Sequence, residues 1–152
     1  MASRRQSIAG AAMRPQLTHL ALHVRDLDAM VDFYGNYCDL TVVHDRRRDG
    51  GHVVWLAEAG REEEFVIVLI DGGPGRDQIK GDISHFGFAL ESREAVDVAA
   101  ARANSVGHLM WPTREEPYPV GYYCGLRDPD GNCVELSYGQ PLGPGAPSTA
   151  AT

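Results

Sequence analysis

The chain has 152 residues, of which 43% are hydrophobic and 23% charged, as in a globular protein with a single core. A formal net charge of −7 argues against a nucleic-acid partner, and no apolar run reaches the roughly 18 residues of a membrane span. The three cysteines (Cys38, Cys124 and Cys133) are odd in number and lack a CxxC motif. They predict reduced thiols and a cytoplasmic protein.

Both ends of the chain have compositions typical of disordered tails. Residues 1–16 hold three arginines among Ala, Ser and Gly, and their apolar stretch is too short for a secretory signal. A transit peptide remains the alternative to a frayed tail. Residues 140–152 are rich in Pro, Gly, Ala, Ser and Thr. A single domain is therefore expected over residues 17–139.

The first half of this domain predicts a strand, a helix and three further strands. The strand spans residues 18–24 and begins with Thr18-His19. Asp26 is placed to cap the following helix, whose apolar stripe consists of Leu27, Met30, Val31 and Tyr34. The remaining strands are predicted over residues 40–44, 52–58 and 64–71, with an Asp-Gly-Gly turn after the first of them.

The second half repeats this order of elements. A strand over residues 84–90 begins with Ser84-His85, the counterpart of Thr18-His19. Ser92 is placed to cap the second helix, whose apolar side consists of Val96, Ala99, Ala100 and Ala103. Three strands follow over residues 106–111, 120–127 and 132–138, and an Asp-Pro-Asp-Gly turn precedes the last one.

The repeat predicts an α+β fold of two βαβββ modules, residues 17–71 and 83–138. One helix cannot cover both faces of a four-stranded sheet, so each sheet has a second face that must meet something else. Two modules side by side form a cupped eight-stranded mixed sheet with the helices outside. The inside of the cup is then the expected ligand site.

Strand alternation predicts which side chains face the cup. Leu20, Leu22 and Val24 share one face of the first strand and are expected to pack on the helix. His19 and His23 then face the cup, as do His85 and Glu135 in the second module. A Glu within an apolar strand is costly unless it is paired or binds a metal. His19, His85 and Glu135 therefore predict a divalent metal site with open coordination positions.

Each of these residues also has a purely structural interpretation. His23 taken alone is more typical of a hydrogen-bonded histidine on a half-buried strand. Glu135 is an exposed strand residue if the facing of its strand is inverted. The repeat favours the metal site, because His19 and His85 occupy equivalent positions in the two halves.

Several motifs are similar to those of the vicinal oxygen chelate superfamily, the group of glyoxalases, bleomycin-resistance proteins and extradiol dioxygenases. They are His19 with Val24-Arg25-Asp26-Leu27-Asp28 and Asp32-Phe33-Tyr34, then Ile83-Ser84-His85-Phe86-Gly87-Phe88, then Arg127-Asp128-Pro129-Asp130-Gly131-Asn132-Cys133-Val134-Glu135-Leu136. The resemblance covers residues 17–138. It implies paired βαβββ modules with a metal at the centre of the cup, held by His19, His85 and Glu135.

The ligand set bears on the subfamily. Glyoxalase I-like members add a carboxylate ligand on the fourth strand, where this chain has Val68, the repeat-mate of Glu135. The remaining two His and one Glu resemble the triad of extradiol dioxygenases. Those enzymes carry a Tyr three residues before the Asp of the turn, and Gly125 stands there in this chain. Tyr123 shares its parity and is the better replacement of the pair Tyr122 and Tyr123.

The resemblance implies a metal-dependent enzyme whose substrate chelates the metal through two neighbouring oxygens. An extradiol-type dioxygenase with Fe²⁺ or Mn²⁺ comes first, although Zn²⁺, Ni²⁺ and Co²⁺ fit the same ligands. In that role Tyr123 binds the substrate oxygen, and His23 and Val68 line the substrate site. The acid–base histidine of such enzymes has three candidates (His44, His52 and His108).

Two other functions remain open. One is a glyoxalase- or epimerase-like lyase or isomerase, in which a base moves a proton beside the metal. The other is a resistance-type protein that sequesters a drug in the cup. A small molecule is the expected partner in each case, with no nucleic acid or membrane. A homodimer is also expected, with the metal site either inside one chain or shared between two.

Overall fold

A computed structural model describes residues 14–148, which form two βαβββ modules. Module 1 consists of β1 (His19–Val24), α1 (Leu27–Cys38), β2 (Leu40–Arg48), β3 (Gly51–Glu58) and β4 (Val66–Asp71). Module 2 consists of β5 (His85–Ala89), α2 (Arg93–Ser105), β6 (Leu109–Glu116), β7 (Gly121–Arg127) and β8 (Cys133–Tyr138). The predicted α+β fold of two βαβββ modules is thereby confirmed. Residues 1–13 and 149–152 of the predicted tails lie outside the described residues.

The helices begin at the predicted caps. The Asp26 side chain accepts a hydrogen bond from the backbone N–H of Ala29, and the Ser92 side chain accepts one from Ala95. Each cap satisfies an amide that the first helical turn leaves without a partner. Among the described residues, neither helix is long and apolar enough to cross a membrane.

The strands form two four-stranded mixed sheets, ordered β1-β4-β3-β2 and β5-β8-β7-β6. In each sheet the first strand pairs in parallel with the last strand of its module, and the other pairs are antiparallel. The register confirms the repeat, since Ala21 is opposite Val68 in module 1 and Gly87 is opposite Glu135 in module 2. Val68 and Glu135 therefore occupy equivalent places in the two sheets.

The helix-facing sides of both sheets contribute to one core within the chain. The fully buried Val24 and Met30 of module 1 belong to the same cluster as Val134 and Leu136 of module 2. Burying such side chains contributes about 1.5–3 kcal/mol each. The opposite face of each sheet, which carries His19 in module 1 and Glu135 in module 2, does not take part in this core. We call these two surfaces the open faces.

The Asp-Pro-Asp-Gly turn joins the two modules. The buried Asp128 carboxylate accepts hydrogen bonds from the Tyr34 hydroxyl at 2.8 Å and from the backbone N–H of Asn132 at 2.9 Å. Asp130, also buried, accepts a hydrogen bond from the backbone N–H of Arg25 at 2.9 Å and forms an ion pair with its guanidinium at 3.3 Å. The Asp-Pro-Asp-Gly turn is therefore a structural joint between the modules.

The structure corrects two local predictions. Strand β6 spans Leu109–Glu116 rather than residues 106–111, because Val106 still caps α2 and Gly107 then reverses the chain at a φ of +78°. Pro112 is tolerated in β6 because this strand is at the edge of its sheet. Part of the predicted C-terminal tail is also packed, since Gly143 lies against Ala89 of β5.

Candidate metal centre

His85 and Glu135 come together on the open face of module 2. His85 begins β5, and Glu135 lies in the neighbouring strand β8. His85 Nε2 is 3.3 Å from Glu135 Oε2. Glu135 is only 6% exposed although it is an acid, whereas His85 is open to solvent. The pair thus presents an imidazole nitrogen and a carboxylate oxygen side by side, as a metal requires.

Hydrogen bonds orient both side chains. His85 Nδ1 is 2.7 Å from the carbonyl oxygen of Ile83, to which it donates, and this bond turns Nε2 towards Glu135. Gln140 Nε2 donates to Glu135 Oε1 at 2.9 Å, which directs Oε2 towards His85. Such outer contacts on the second nitrogen of a histidine and on a carboxylate are typical of metal ligands.

The pair lies in a cavity of about 490 Å³ between the strands of module 2. Its lining includes Trp111, Tyr123 and Gln140. The Trp111 indole covers Gly125 so closely that a Cβ atom at that glycine would overlap the ring. Trp111 thus fills the position where the resemblance places the tyrosine of dioxygenases. Tyr123 lines the same cavity as Glu135, as its parity predicts.

His19 lies on the open face of module 1. Its Nδ1 is hydrogen-bonded to Thr18 Oγ1 at 3.1 Å, and it lines a separate cavity of about 610 Å³. Val68 lines that cavity too and is 8% exposed, so the predicted neighbour of the metal shares a face with His19. His23 is exposed on the same strand face but does not line the cavity that holds His19.

Within one chain, the structure brings together two of the three expected ligands. No group of three His, Cys, Asp or Glu side chains placed to hold a metal occurs among residues 14–148. His85 and Glu135 are neighbours, whereas His19 belongs to the cavity of the other module. The reason is topological. Both sheets use their helix-facing sides for the shared core, so the two open faces of one chain do not meet.

The three candidates for an acid–base histidine have different surroundings. His44 lies on the module 1 open face, with its ring centroid 5.5 Å from that of Trp55. His52 Nε2 is 2.8 Å from Asp45 Oδ1 on the other face of the same hairpin. The His108 ring packs edge-on against Phe33, with centroids 5.5 Å apart. Of the three, only His44 lies on an open face.

The cysteines are free and buried, in agreement with the predicted reduced thiols. Burial and the nearby Glu135 carboxylate raise the pKa of Cys124 to about 12 and that of Cys133 to about 11. Burial also raises the pKa of Cys38 far above its ordinary value. All three thiols are therefore protonated at neutral pH, in which form they are poor metal ligands and poor nucleophiles.

Trp111 and Gln140 belong to this site, although the sequence pattern does not indicate it. Gln140 follows β8 in a Pro- and Gly-rich segment. Such a composition predicts a tail without contacts, so the contact with Glu135 could not be expected from it. Tryptophan is a residue type that is usually found in a core. Only the position of Trp111 over Gly125 shows that it lines the cavity. The signal available in the sequence was Gly125 itself, because a glycine inside a strand often marks close packing against it.

Comparison with known proteins identifies the family. The model of the Glyoxalase/Bleomycin resistance protein/Dioxygenase superfamily matches residues 16–136. The chain is also 59% identical over 134 residues to the uncharacterized protein PA2024 of Pseudomonas aeruginosa, covering 88% of this chain and 96% of that protein. The chain therefore belongs to this superfamily.

Solved structures agree with the fold. A glyoxylase/bleomycin resistance protein/dioxygenase domain from Frankia is 28% identical with a TM-score of 0.63, over 88% of this chain and 100% of that chain. A point mutant of the fosfomycin resistance protein FosX from Listeria monocytogenes is 23% identical with a TM-score of 0.66, over 84% of this chain and 95% of that chain. That FosX crystal holds Mn(II) and 1S,2S-dihydroxypropylphosphonic acid. At this identity the likeness to FosX concerns the fold alone.

Proposed function

We propose that the chain is a metal-dependent enzyme whose metal centre is built from two copies of the chain. His85 and Glu135 of one copy and His19 of a second copy hold a divalent ion, and the substrate binds it through two neighbouring oxygens. The carrying observation is the oriented pair of His85 and Glu135, whose Nε2 and Oε2 atoms are 3.3 Å apart in an open cavity. Two ligands with fixed outer contacts form half of a site that needs further donors.

The open face of module 1 supports the contribution of a second copy. Trp55 is 42% exposed and Ile70 36% exposed beside the His19 cavity. Such an apolar surface favours a contact between proteins. In a two-fold dimer each module 1 open face meets a module 2 open face, so the same contact forms twice and two equal sites result.

Two imidazoles and one carboxylate suit Fe²⁺ or Mn²⁺, with Zn²⁺, Ni²⁺ and Co²⁺ as further occupants. When held by these residues, such an ion would supply Lewis acidity to the two substrate oxygens. The FosX crystal, which shares this fold, holds both Mn(II) and a vicinal diol. The Tyr123 hydroxyl is placed to donate a hydrogen bond to a substrate oxygen, because it lines the cavity of His85 and Glu135.

Extradiol-type cleavage of a catechol is the first specific reaction that we propose. It agrees with the three-ligand set, since Val68 stands where a fourth carboxylate would close the coordination sphere. A second candidate is a glyoxalase- or epimerase-like reaction, favoured by the Trp111 indole at the position of the dioxygenase tyrosine. Coloured product from catechols and loss of a methylglyoxal–glutathione hemithioacetal distinguish the two reactions. Drug sequestration is disfavoured, because a binding protein has no need of the oriented pair.

Mixing two inactive variants tests the shared centre. His19→Ala and His85→Ala each remove one ligand, but a mixed dimer contains one intact site, formed by His19 of one variant with His85 and Glu135 of the other. After joint refolding of equal amounts, about a quarter of the wild-type tight metal binding should return.

A matched mixture provides the control. His85→Ala and Glu135→Ala damage the same half of the site, so their mixed dimers contain no intact centre and should bind no metal tightly. A site inside one chain predicts no recovery in either mixture. That result, or a monomer by sedimentation at concentrations where the metal binds, would overturn the proposal.

A further inference from the structure

We infer that Asp82 and Gln78, in the linker between the two modules (residues 72–84), are positioning residues of the proposed metal centre. Both hold Ser84, and through it the Ile83 carbonyl group that orients His85. The inference rests on the proposed function and adds to it the residues that fix the direction of one ligand. Neither side chain lines the cavity of about 490 Å³ that holds this ligand.

The orientation of His85 depends on a backbone group. Its Nδ1 donates to the Ile83 carbonyl oxygen at 2.7 Å, which turns Nε2 towards Glu135. Module 1 differs, because His19 Nδ1 is 3.1 Å from the hydroxyl oxygen of Thr18. A hydroxyl group can donate or accept and can rotate, whereas a carbonyl oxygen only accepts. The Ile83 carbonyl therefore fixes the role of Nδ1 and leaves Nε2 as the nitrogen for an ion.

Ser84 is the counterpart of Thr18 in the repeat, but its polar groups are bound within the linker. Its hydroxyl and its backbone N–H both donate to Asp82 Oδ1, at 2.7 Å and 2.9 Å. Its carbonyl oxygen accepts a hydrogen bond from Gln78 Nε2. The Ser84 N–H and the Ile83 carbonyl belong to one planar peptide unit, so the bond to Asp82 also fixes the direction of that carbonyl.

A turn holds Asp82 in place. Its backbone N–H donates to the Ile79 carbonyl oxygen at 3.0 Å, and Gly81 takes a φ of +94°, a conformation that favours glycine. The bonds from the Ser84 hydroxyl and then from its N–H lower the pKa of Asp82. The carboxylate is therefore charged at neutral pH, and hydrogen bonds to a charged acceptor are the stronger kind.

Apolar packing does little to hold this part of the linker within one chain. The side chains of Ile79 and Ile83 are 79% and 71% exposed. A cavity of about 460 Å³ is lined by the linker on one side and by apolar residues of β1 and β5 on the other. The position of Ser84 therefore depends on its polar bonds rather than on hydrophobic burial.

Gln78 is unfavourable for stability in one respect. Its Oε1 atom is buried and has no hydrogen-bond partner among residues 14–148. A buried acceptor without a donor is destabilising, so the presence of this side chain needs an explanation. Its Nε2 donor supplies one, because it holds the peptide unit that joins Ser84 to His85. Loss of the amide should therefore not lower stability, although it releases that peptide unit.

Variants of the two side chains test the inference, with Mn(II) affinity of the dimer measured by isothermal titration calorimetry. Asp82→Ala should weaken binding about tenfold, as the loss of an outer contact of a metal ligand does. Asp82→Asn should keep the affinity within about twofold, because its amide oxygen still accepts both bonds from Ser84. Gln78→Met keeps the length without the donor and should weaken binding about tenfold, while the melting temperature of the metal-free protein does not fall. A merely structural role predicts that affinity and melting temperature fall together.

Asp77→Ala is the matched control. Asp77 is an exposed acid of the same linker that pairs with Arg25 at 3.4 Å, so its removal changes the charge equally without touching Ser84. It should keep the wild-type affinity. Unchanged affinity in Asp82→Ala or Gln78→Met would overturn the inference, as would equal losses in Asp82→Asn and Asp82→Ala, which would mean that charge acts at a distance. In each case a loss of binding in His85→Ala still upholds the proposed function. Full Mn(II) affinity in His85→Ala would overturn both.

Discussion

The open faces of the two modules share one architecture and differ in chemistry. At equivalent positions, module 1 has His19 and Val68 where module 2 has His85 and Glu135. The module 1 face has Val66 and Val68 in a small apolar cluster near its histidine, in a cavity that is also lined by Arg46 and by Glu62, Glu63 and Glu64. The module 2 face carries a buried acid with a hydrogen-bond partner.

The difference teaches how a repeated module makes a site that is not symmetric. If both modules kept the carboxylate, a joined pair of open faces would present four protein ligands. Because module 1 has Val68 instead, the pair would present three, which would leave open positions for a chelating substrate. In the proposed centre, a duplicated fold would thus change its coordination chemistry through one residue of one module, without any change in the strands.

Removing a proposed ligand from the module 2 face should have the largest effect on metal affinity. His85→Ala should lower Mn(II) affinity by more than about 100-fold, beyond the range found for outer contacts of metal ligands. His23→Ala should leave the affinity unchanged, because His23 lies about 13 Å further along β1 than His19. Metal titration of both variants is the measurement. Equal losses in the two variants would mean that the ligand on β1 has been misassigned.

A glutamate at position 68 of module 1 should make its open face resemble that of module 2, where Glu135 has the equivalent place. Val68→Glu should add the fourth ligand, raise Mn(II) affinity about tenfold and suppress any ring cleavage by occupying a substrate position. Val68→Gln is the control, because Gln has nearly the shape of Glu but carries no charge. A misplaced buried Glu would instead destabilise the fold by several kcal/mol, so the melting temperature is measured alongside. Normal folding with unchanged affinity and turnover would show that Val68 is not beside the metal.

The joint between the modules should matter for stability rather than for metal binding. Tyr34→Phe removes the hydrogen bond to the buried Asp128 carboxylate and should lower the free energy of unfolding by about 1.5–3 kcal/mol. Tyr122→Phe, which removes the bond to the exposed Asp97, should cost less. Urea denaturation at neutral pH measures both. A loss from Tyr122→Phe as large as that from Tyr34→Phe would contradict the importance of the joint.

The pH dependence of stability provides a separate test of the same joint. Burial, followed by the Asp128 carboxylate, raises the pKa of Tyr34 well above its ordinary value. The folded state therefore holds this proton more tightly than the unfolded state, and the stabilisation is complete below about pH 10. It is lost as the pH rises through the folded-state pKa. Urea midpoints above about pH 10 should fall more steeply for the wild type than for Tyr34→Phe, and parallel curves would contradict this assignment.

The smallest expected effect concerns the residue that orients Glu135. Gln140→Ala removes the donor to Oε1 and should weaken Mn(II) binding about tenfold without changing the melting temperature of the metal-free protein. Gln140→Met, which keeps the length of the side chain without the donor, should match it. Full affinity in the Met variant would mean that Gln140 acts by packing alone.

Local patterns in the sequence were sufficient to predict the two modules and the sheet face on which each strand side chain lies. The period of two placed Leu22 and Val24 on the helix side and His19 on the open face, because alternation is a property of a single strand. The caps Asp26 and Ser92 were readable for the same reason, since each bonds only three residues ahead. The start of β6 could not be predicted in this way, because the backbone can take more than one direction at a glycine that follows a helix, as at Gly107.

Contacts between distant parts of the chain were decided only by the tertiary structure. Parity alone did not show that His85 and Glu135 meet within one chain while His19 lies in another cavity. That separation depends on which faces of two sheets pack together, and both the helix-facing and the open sides offer apolar surface. Likewise Gln140 reached Glu135 through the path of the backbone after β8, which composition does not encode. The sequence by itself determined what each face carries, and packing decided which faces meet, because hydrophobic burial is non-directional and selects partners only in three dimensions.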